Sequence, residues 1–367
     1  MSQKQTINIG IIGTGFARST QIPGFRACTG ARVVAIASGH LENAESVARD
    51  FGIEFATDDW REVVGRSDVD LISIVTPPST HREMALAALD AGKAVLCEKP
   101  TAMNALEAEE MRRRAEETGM LALLDHELRF LPARRLMREM IRAGEIGRVQ
   151  HVKYFFRAES RANPERPWNW WSDASKGGGV LGAIGSHAVD SLRWLTGTEI
   201  SHVAAQLATH IVERTEDETG RVRPVTSDDE ANLLLRFRDG SFTEGMTGTV
   251  SMSVVEQGKP LHYVEVFGSK GALMVDANDM LRACTGDGRW SKVSTPDGEL
   301  AEGMRDNEWS RGFTLFSRTI IDALREGRNT VDEAATFTDG YRNQLVLDAA
   351  CRSQEIGSWI NLNVEES

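Results

Sequence analysis

Short apolar runs alternate with amphipathic segments through the first third of the chain. Residues 7–12, 31–37, 70–75, 94–97 and 121–124 are largely apolar on both alternating sets of positions, the pattern of strands buried in a parallel sheet. Between them, residues 79–91 and 104–118 repeat their apolar positions at helical spacing. Strand then helix, repeated, predicts a doubly wound sheet. Asn104 followed by Glu107 has capping-box spacing and predicts a helix start just beyond Pro100. A Rossmann domain is therefore expected over residues 1–125.

After a linking helix at 132–143 the pattern changes. Longer runs rich in Val, Phe and Thr follow at 151–158, 201–212, 230–237, 241–251 and 263–267, which predicts a second domain over 126–367 with a mostly antiparallel sheet. Residues 213–229 carry six Asp or Glu and read as an exposed loop or hairpin tip. Helical segments at 313–325 and 334–354 are expected to pack back on the body.

Composition narrows the function classes. A formal charge of −12 repels a phosphate backbone, and no Lys/Arg run offsets it, so nucleic acid is not the expected partner. No stretch of 18 uninterrupted apolar residues occurs, and the polar start Met1–Gln5 offers no apolar signal region, so no membrane association is expected. Cys28, Cys97, Cys284 and Cys351 are scattered without a paired motif. That argues against a disulfide framework or a metal site and for a cytoplasmic location.

The candidate chemistry begins where the first strand ends, at Gly13-Thr14-Gly15-Phe16-Ala17-Arg18. Glycines there permit a tight turn and let the backbone approach a pyrophosphate. Arg18 fills the slot of the usual third glycine. The second strand ends in Ser38-Gly39-His40, with no carboxylate for a ribose 2′-hydroxyl. Ser38, His40 and Arg18 then favour NADP over NAD. Thr76-Pro77-Pro78-Ser79-Thr80-His81 and Cys97-Glu98-Lys99-Pro100 follow later strands, at the edge where ligands sit in such sheets. A lysine starts from a pKa of about 10.4 and needs burial or a neighbouring cation to act as an acid/base near neutrality; alone, a Lys-Pro pair reads as a surface turn.

Further on, Val180, Leu181, Ile184, Ala188, Leu192 and Leu195 form a helical apolar stripe, and His187 falls off it beside Ala183, Asp190, Ser191 and Trp194. Asp190 is placed to orient the imidazole, or His187 anchors the helix to its surroundings. Trp168, Asn169, Trp170, Trp171 and Asp173 concentrate indoles and polar groups in one loop, which suits a sugar-like ligand or, equally, a plug or subunit contact.

These motifs, in this order and spacing, resemble the Gfo/Idh/MocA oxidoreductases: Gly13-Thr14-Gly15, the Thr76-Pro77-Pro78 segment with His81, Glu98-Lys99-Pro100, Gly177-Gly178-Gly179, Gly185-Ser186-His187 with Asp190, and Phe267-Gly268-Ser269-Lys270-Gly271. The resemblance spans essentially the whole chain and implies that the second domain is an α/β domain with a large open sheet. It implies that Lys99 and His187 are catalytic, facing the nicotinamide and substrate, and that Gly13 to Arg18, Ser38 to His40, Thr76, Pro77, His81, Glu98 and Lys99 contact the cofactor. It implies a substrate pocket bordered by the His126-Glu127-Leu128-Arg129-Phe130 segment, with Arg129, Trp168, Trp170, His187 and Asp190 as substrate contacts, and a homodimer or homotetramer formed through the second domain's sheet. Two positions depart from the family. Ala183 stands where many members carry an Asp, and Glu127 where Asn is common. The expected activity is hydride transfer between NAD(P) and a carbinol or carbonyl carbon of a sugar, cyclitol or similar polyol. Two alternatives stay open: a Gal80-like nucleotide-binding regulator without turnover, which Ala183 favours, and an enzyme that recycles a tightly held cofactor.

Overall fold

Six strands, β1 (Ile7–Ile12), β2 (Ala31–Ala37), β3 (Phe55–Thr57), β4 (Leu71–Ile74), β5 (Ala94–Cys97) and β6 (Ala122–Leu124), form an all-parallel sheet in the order β3-β2-β1-β4-β5-β6. Ile9, Ile11, Leu71, Ile72, Val95 and Leu96 are all buried, because helices cover both faces. The helix Ala105–Thr118 starts as its sequence predicts: Asn104 Oδ1 accepts the Glu107 amide at 3.0 Å. The Glu107 carboxylate reaches one residue further back than a standard box, to the Met103 amide at 3.1 Å. Strand order reverses between β1 and β4, the position where such sheets open a crevice at the strand C-termini.

The computed structural model describes residues 5–286 and 288–362 and divides into two units. Residues up to Leu131 join Gly298–Tyr341 in the first; Pro132–Asp297 join the residues from Arg342 onward in the second. The helix Glu308–Arg325 thus belongs with the Rossmann sheet, whereas the sequence assigned all of 126–367 to the second domain. Its reason is aromatic packing. Phe313 meets Phe25 edge-on at 5.4 Å between centroids, and Phe316 stacks on Phe130 at 4.4 Å.

In the second unit β7 (Val149–Arg157), β8 (Ile200–Ala208), a small hairpin of β9 (Glu213–Thr215) and β10 (Val222–Pro224), β11 (Glu230–Phe237), β12 (Thr243–Ser253), β13 (Leu261–Gly268), β14 (Gly271–Asp276), β15 (Leu281–Thr285), β16 (Trp290–Lys292) and β17 (Ile360–Asn361) follow in turn. All but the hairpin make one nine-stranded sheet, β16-β15-β14-β13-β7-β12-β11-β8-β17, in which only β7 and β12 pair in parallel. Val152, Tyr154, Leu233, Leu235, Val264 and Val266 point into a core shared with the helices Pro132–Arg142 and Ser186–Thr196. Alternate residues face the other way, and there Phe155 and Tyr263 stack at 5.2 Å while Leu234 is exposed. Among the described residues no helix is long and apolar enough to cross a membrane, and no His/Cys/Asp/Glu group could hold a metal ion.

Candidate functional site

In the first unit the parallel strands deliver Gly13–Phe16, Ser38–His40, Thr76–Pro77, Glu98–Pro100 and Asp125–Glu127 to one edge, since each segment follows a strand C-terminus. Gly13 adopts φ +106°, and an added Cβ would sit 2.2 Å from the Val75 carbonyl oxygen. Only glycine lets these two loops meet. At Gly15 an added Cβ meets nothing within 4 Å, so the outer side of the turn is open backbone. A crowded first glycine and an open second one fit a pyrophosphate lying on the turn. Thr14 is half-buried, Phe16 exposed and Ala17 buried at the start of a π-helical turn, Ala17–Gln21.

Arg18 departs from its expected use. Its guanidinium bonds Ser46 Oγ at 2.8 Å and pairs with Asp50 at 2.5 Å, so its charge is already matched by the helix Leu41–Phe51. Ser38 is half-buried, with its amide on the Thr57 carbonyl; Gly39 and His40 are exposed.

His81 is fully buried. Its Nδ1 lies 3.0 Å from the Pro100 carbonyl and its Nε2 2.9 Å from the Thr76 carbonyl, so it ties the loop after β4 to the loop after β5. Burial holds its pKa below the ordinary histidine value. A side chain enclosed in this way holds the Thr76 and Pro100 loops together, beside the partly exposed Lys99. Thr76 also receives the Thr80 hydroxyl at 2.7 Å, and Pro77 carries the carbonyl that accepts the same hydroxyl at 2.9 Å.

Behind Lys99 lies a cluster that sequence reading did not find. The Gln21 side-chain amide donates to Glu98 at 3.1 Å and to Asp125 at 3.0 Å, and the Ser73 hydroxyl donates to the Gln21 carbonyl oxygen at 2.5 Å. Glu98, Asp125 and Glu127 are all buried. Burial raises the Asp125 carboxyl well above the ordinary range, reinforced by Glu127 and Glu98, and Asp125 shares a hydrogen bond with Glu98. Burial likewise raises Glu98, against the pull of the Lys99 charge, and lifts Glu127 well above its usual value. Like charges this close disfavour one another's ionisation, so the cluster binds protons more tightly than free carboxyls do. Its one legible signal was the acidic pair Asp125 and Glu127 at a strand end; Gln21 gave none.

Arg129, expected to touch substrate, is buried. Its guanidinium pairs with Asp339 at 3.3 Å and bonds the Glu333 carbonyl at 3.3 Å, both within the first unit, which gives it an anchoring role.

In the second unit the helix predicted over 180–195 begins as a π-helical turn, Leu181–Gly185, and becomes regular at Ser186–Thr196. Gly179, at φ +117°, leads into it, and a Cβ there would lie 2.4 Å from Asp228 Oδ1. Asp228 secures this entry by accepting the Leu181 amide at 2.7 Å, and burial raises its carboxyl to about 6. His187 and Asp190 are both buried in the first two turns of the regular helix. Asn343 donates to Asp190 at 3.1 Å and accepts from Arg193 at 2.7 Å, while Arg193 forks onto Glu199 at 2.6 and 2.8 Å. Trp168 donates to the Pro224 carbonyl at 3.0 Å and lies under the Arg223 guanidinium at 3.5 Å. Trp170 is 38% exposed, and Asn169 caps the turn that carries it.

Residues 7–126 match a family model described as an oxidoreductase family with an NAD-binding Rossmann fold, and residues 135–274 match the GFO/IDH/MocA C-terminal domain. A levoglucosan dehydrogenase of Pseudarthrobacter phenanthrenivorans is 29% identical, with 98% of each chain aligned. A glucose-fructose oxidoreductase domain-containing protein 2 of Xenopus laevis is 32% identical over 98% of this chain and 95% of its own. Among solved structures, levoglucosan dehydrogenase in complex with NADH and levoglucosan superposes with a TM-score of 0.87 at 27% identity, covering 98% of this chain and 99% of its own. With both halves matched in order and relatives aligned from end to end, the chain belongs to the Gfo/Idh/MocA family of NAD-binding oxidoreductases.

Proposed function

We propose that this family member is an NAD(P)-dependent dehydrogenase or reductase acting on a carbinol or carbonyl carbon of a sugar, cyclitol or similar polyol. The observation that carries the proposal is the shared edge of Gly13, Thr76 and Lys99, with His81 locking the two later loops together. The sugar dehydrogenases among its relatives support the substrate class. Gly13 to Ala17, Ser38 to His40, Thr76 and Pro77 would hold the nucleotide. When bound, the nicotinamide accepts or returns a hydride. Lys99 takes or supplies the proton of the substrate oxygen, beside the buried Glu98. His187 holds the reacting oxygen; Asp190, Trp168 and Trp170 shape the substrate contacts.

For the cofactor, the proposed NADP preference rests on Ser38 and His40, since Arg18 is matched by Asp50. The homologous levoglucosan dehydrogenase binds NADH, so the expected discrimination is modest. Assembly as a homodimer or homotetramer is proposed through the sheet face that carries Phe155, Tyr263 and Leu234. Four free thiols fit a reducing cytoplasm. The regulator reading keeps one observation in its favour, Ala183 in place of a carboxylate.

Titration with NADPH and NADH, followed by a sugar and polyol panel read at the reduced-nicotinamide absorbance, tests the proposal. Lys99→Ala is expected to cut turnover by about 10²–10⁴-fold with nucleotide affinity retained. Nucleotide binding with no turnover on any panel member, and no effect of the substitution, establishes the regulator instead.

A further inference from the structure

The loop after β7 carries Arg161 and Arg166, and the adjacent hairpin carries Arg214; none of the three makes an ion pair with a carboxylate of the described residues. Arg214, on the adjacent hairpin, is buried and donates to the backbone carbonyls of Arg161, Asn163 and Arg166 at 2.6, 2.7 and 3.2 Å, which pins the loop. Arg166 donates to the Ser160 carbonyl at 2.9 Å. Arg161 is different. It lies over the Trp171 ring at 3.8 Å, and its side chain makes no hydrogen bond or ion pair with any described residue. Its Nη1 is buried without an acceptor, whereas Nε and Nη2 are not among the buried atoms. The neighbours acting on it are Arg166 and Arg214, both of its own sign; with burial they bring its pKa down to about 9.

A partly buried guanidinium beside two like charges is unfavourable unless something answers it, and stacking on an indole offsets only part of that. Two glutamates in the same loop, Glu159 and Glu165, are exposed, and neither pairs with it. In a chain of net charge −12, an arginine left facing its own kind marks a place prepared for an outside anion.

Location ties the cluster to the substrate side of the second unit. β7 and β12 run parallel and end together at Arg157 and Ser253, opposite the start of β11 at Glu230. The Arg161 amide bonds the Val254 carbonyl at 2.9 Å, and the Ser227 hydroxyl bonds the Trp171 carbonyl at 2.9 Å. The Val180 amide bonds the Asp228 carbonyl at 3.0 Å. One sheet end therefore gathers the arginine loop, the tryptophans and the start of the helix that carries His187.

We propose that Arg161, backed by Arg166 and Arg214, anchors a subsite for the carboxylate of a sugar acid, so that the substrate is an aldonate or uronate rather than a neutral sugar. Both terminal nitrogens of Arg214 and one of Arg166 already serve backbone carbonyls. Arg161 then offers the half-buried planar Nε/Nη2 edge of the cluster, which matches two coplanar carboxylate oxygens. The inference deepens the dehydrogenase reading and rests on it for the reaction, but its binding test does not need turnover.

The test compares calorimetric binding and turnover for galacturonate against galactose, glucuronate against glucose, and gluconate against glucitol, with galactose 6-phosphate as a further arm, in wild type, R161Q, R161K and R166Q. Expected is an advantage of about tenfold or more for at least one acid over its neutral partner, shrinking with added salt, lost in R161Q and partly kept in R161K. R166Q, at an exposed position, halves the cluster's support without touching the indole stack, so a reduced acid advantage there sustains the proposal even if R161Q fails to fold. Equal binding within all three pairs overturns the subsite. So does tighter binding of the sugar phosphate, or an R161Q effect confined to the association state, which would make the anion a second copy's carboxylate. Neutral sugars turned over as well as acids remove the subsite and leave the dehydrogenase standing. Acid binding lost in R161Q without turnover of any sugar removes the dehydrogenase and leaves the subsite.

Discussion

Each unit buries a polar network of similar size, and the two are built on opposite principles. In the first, Glu98, Asp125 and Glu127 gather around the Gln21 amide, so acid faces acid. In the second, Asp190, Asn343, Arg193, Glu199 and Arg342 alternate acceptor and donor, with Arg193 forked onto Glu199 and Arg342 joining it at 3.2 Å. An alternating chain pairs its charges internally. A like-charge cluster can be buried only by holding protons, so it responds to pH and to any charge placed beside it. The like-charge network is the one next to Lys99, the proposed acid/base; the alternating one supports the helix of His187.

Removing the cation from the alternating chain has the largest expected effect. Arg193→Ala leaves Glu199 with only its Arg342 contact and Asn343 without its donor, at a cost of about 3–5 kcal/mol in denaturant unfolding, because three hydrogen bonds of one buried guanidinium are lost together. Gln21→Ala in the first unit should cost less, about 1–3 kcal/mol, since it removes a neutral bridge and leaves carboxyls that can keep their protons. A loss for Gln21→Ala as large as that for Arg193→Ala would show that the acid cluster is ionised after all.

The smallest and most specific effect is on pH dependence. Asp125 is raised in the folded protein, so the fold keeps a proton that the unfolded chain releases. Its stabilisation is fully present below about pH 4, the ordinary carboxyl range, and is lost as pH rises through the folded value. Thermal unfolding from pH 5 upward should therefore show Tm falling as pH rises, with a shallower fall in Asp125→Asn. Some slope remains, because Glu98 and Glu127 are raised in the same direction. Identical slopes in wild type and variant would break the comparison.

The contrast also explains what the sequence made readable. Strands such as β5, found at 94–97 as the pattern predicts, are visible because every residue in them is apolar. Glycine positions were readable too, and Gly13 turns out to need glycine for two reasons, its φ and the Val75 carbonyl. β14 to β17 escaped notice because they are short or half-exposed and lack a strong alternation. Partners were the harder problem. Arg18, His81 and Arg129 were singled out for chemistry, yet their bonds run to Asp50, to two carbonyls and to Asp339, choices set by residues up to 210 positions away that no local pattern records. Gln21 and Arg161 are the converse, ordinary in sequence and distinctive only once their surroundings are known.

The return of residues 298–341 to the Rossmann unit bears on how this protein is made. Phe25 and Phe130 find their ring partners on a helix near the far end of the chain. During synthesis the N-terminal sheet must wait, with part of its apolar surface open to water, until more than 300 residues have left the ribosome. Folding of the first unit can therefore be completed only after residues 298–341 have emerged, and a gene fragment ending after the first 131 codons would lack part of that unit's core.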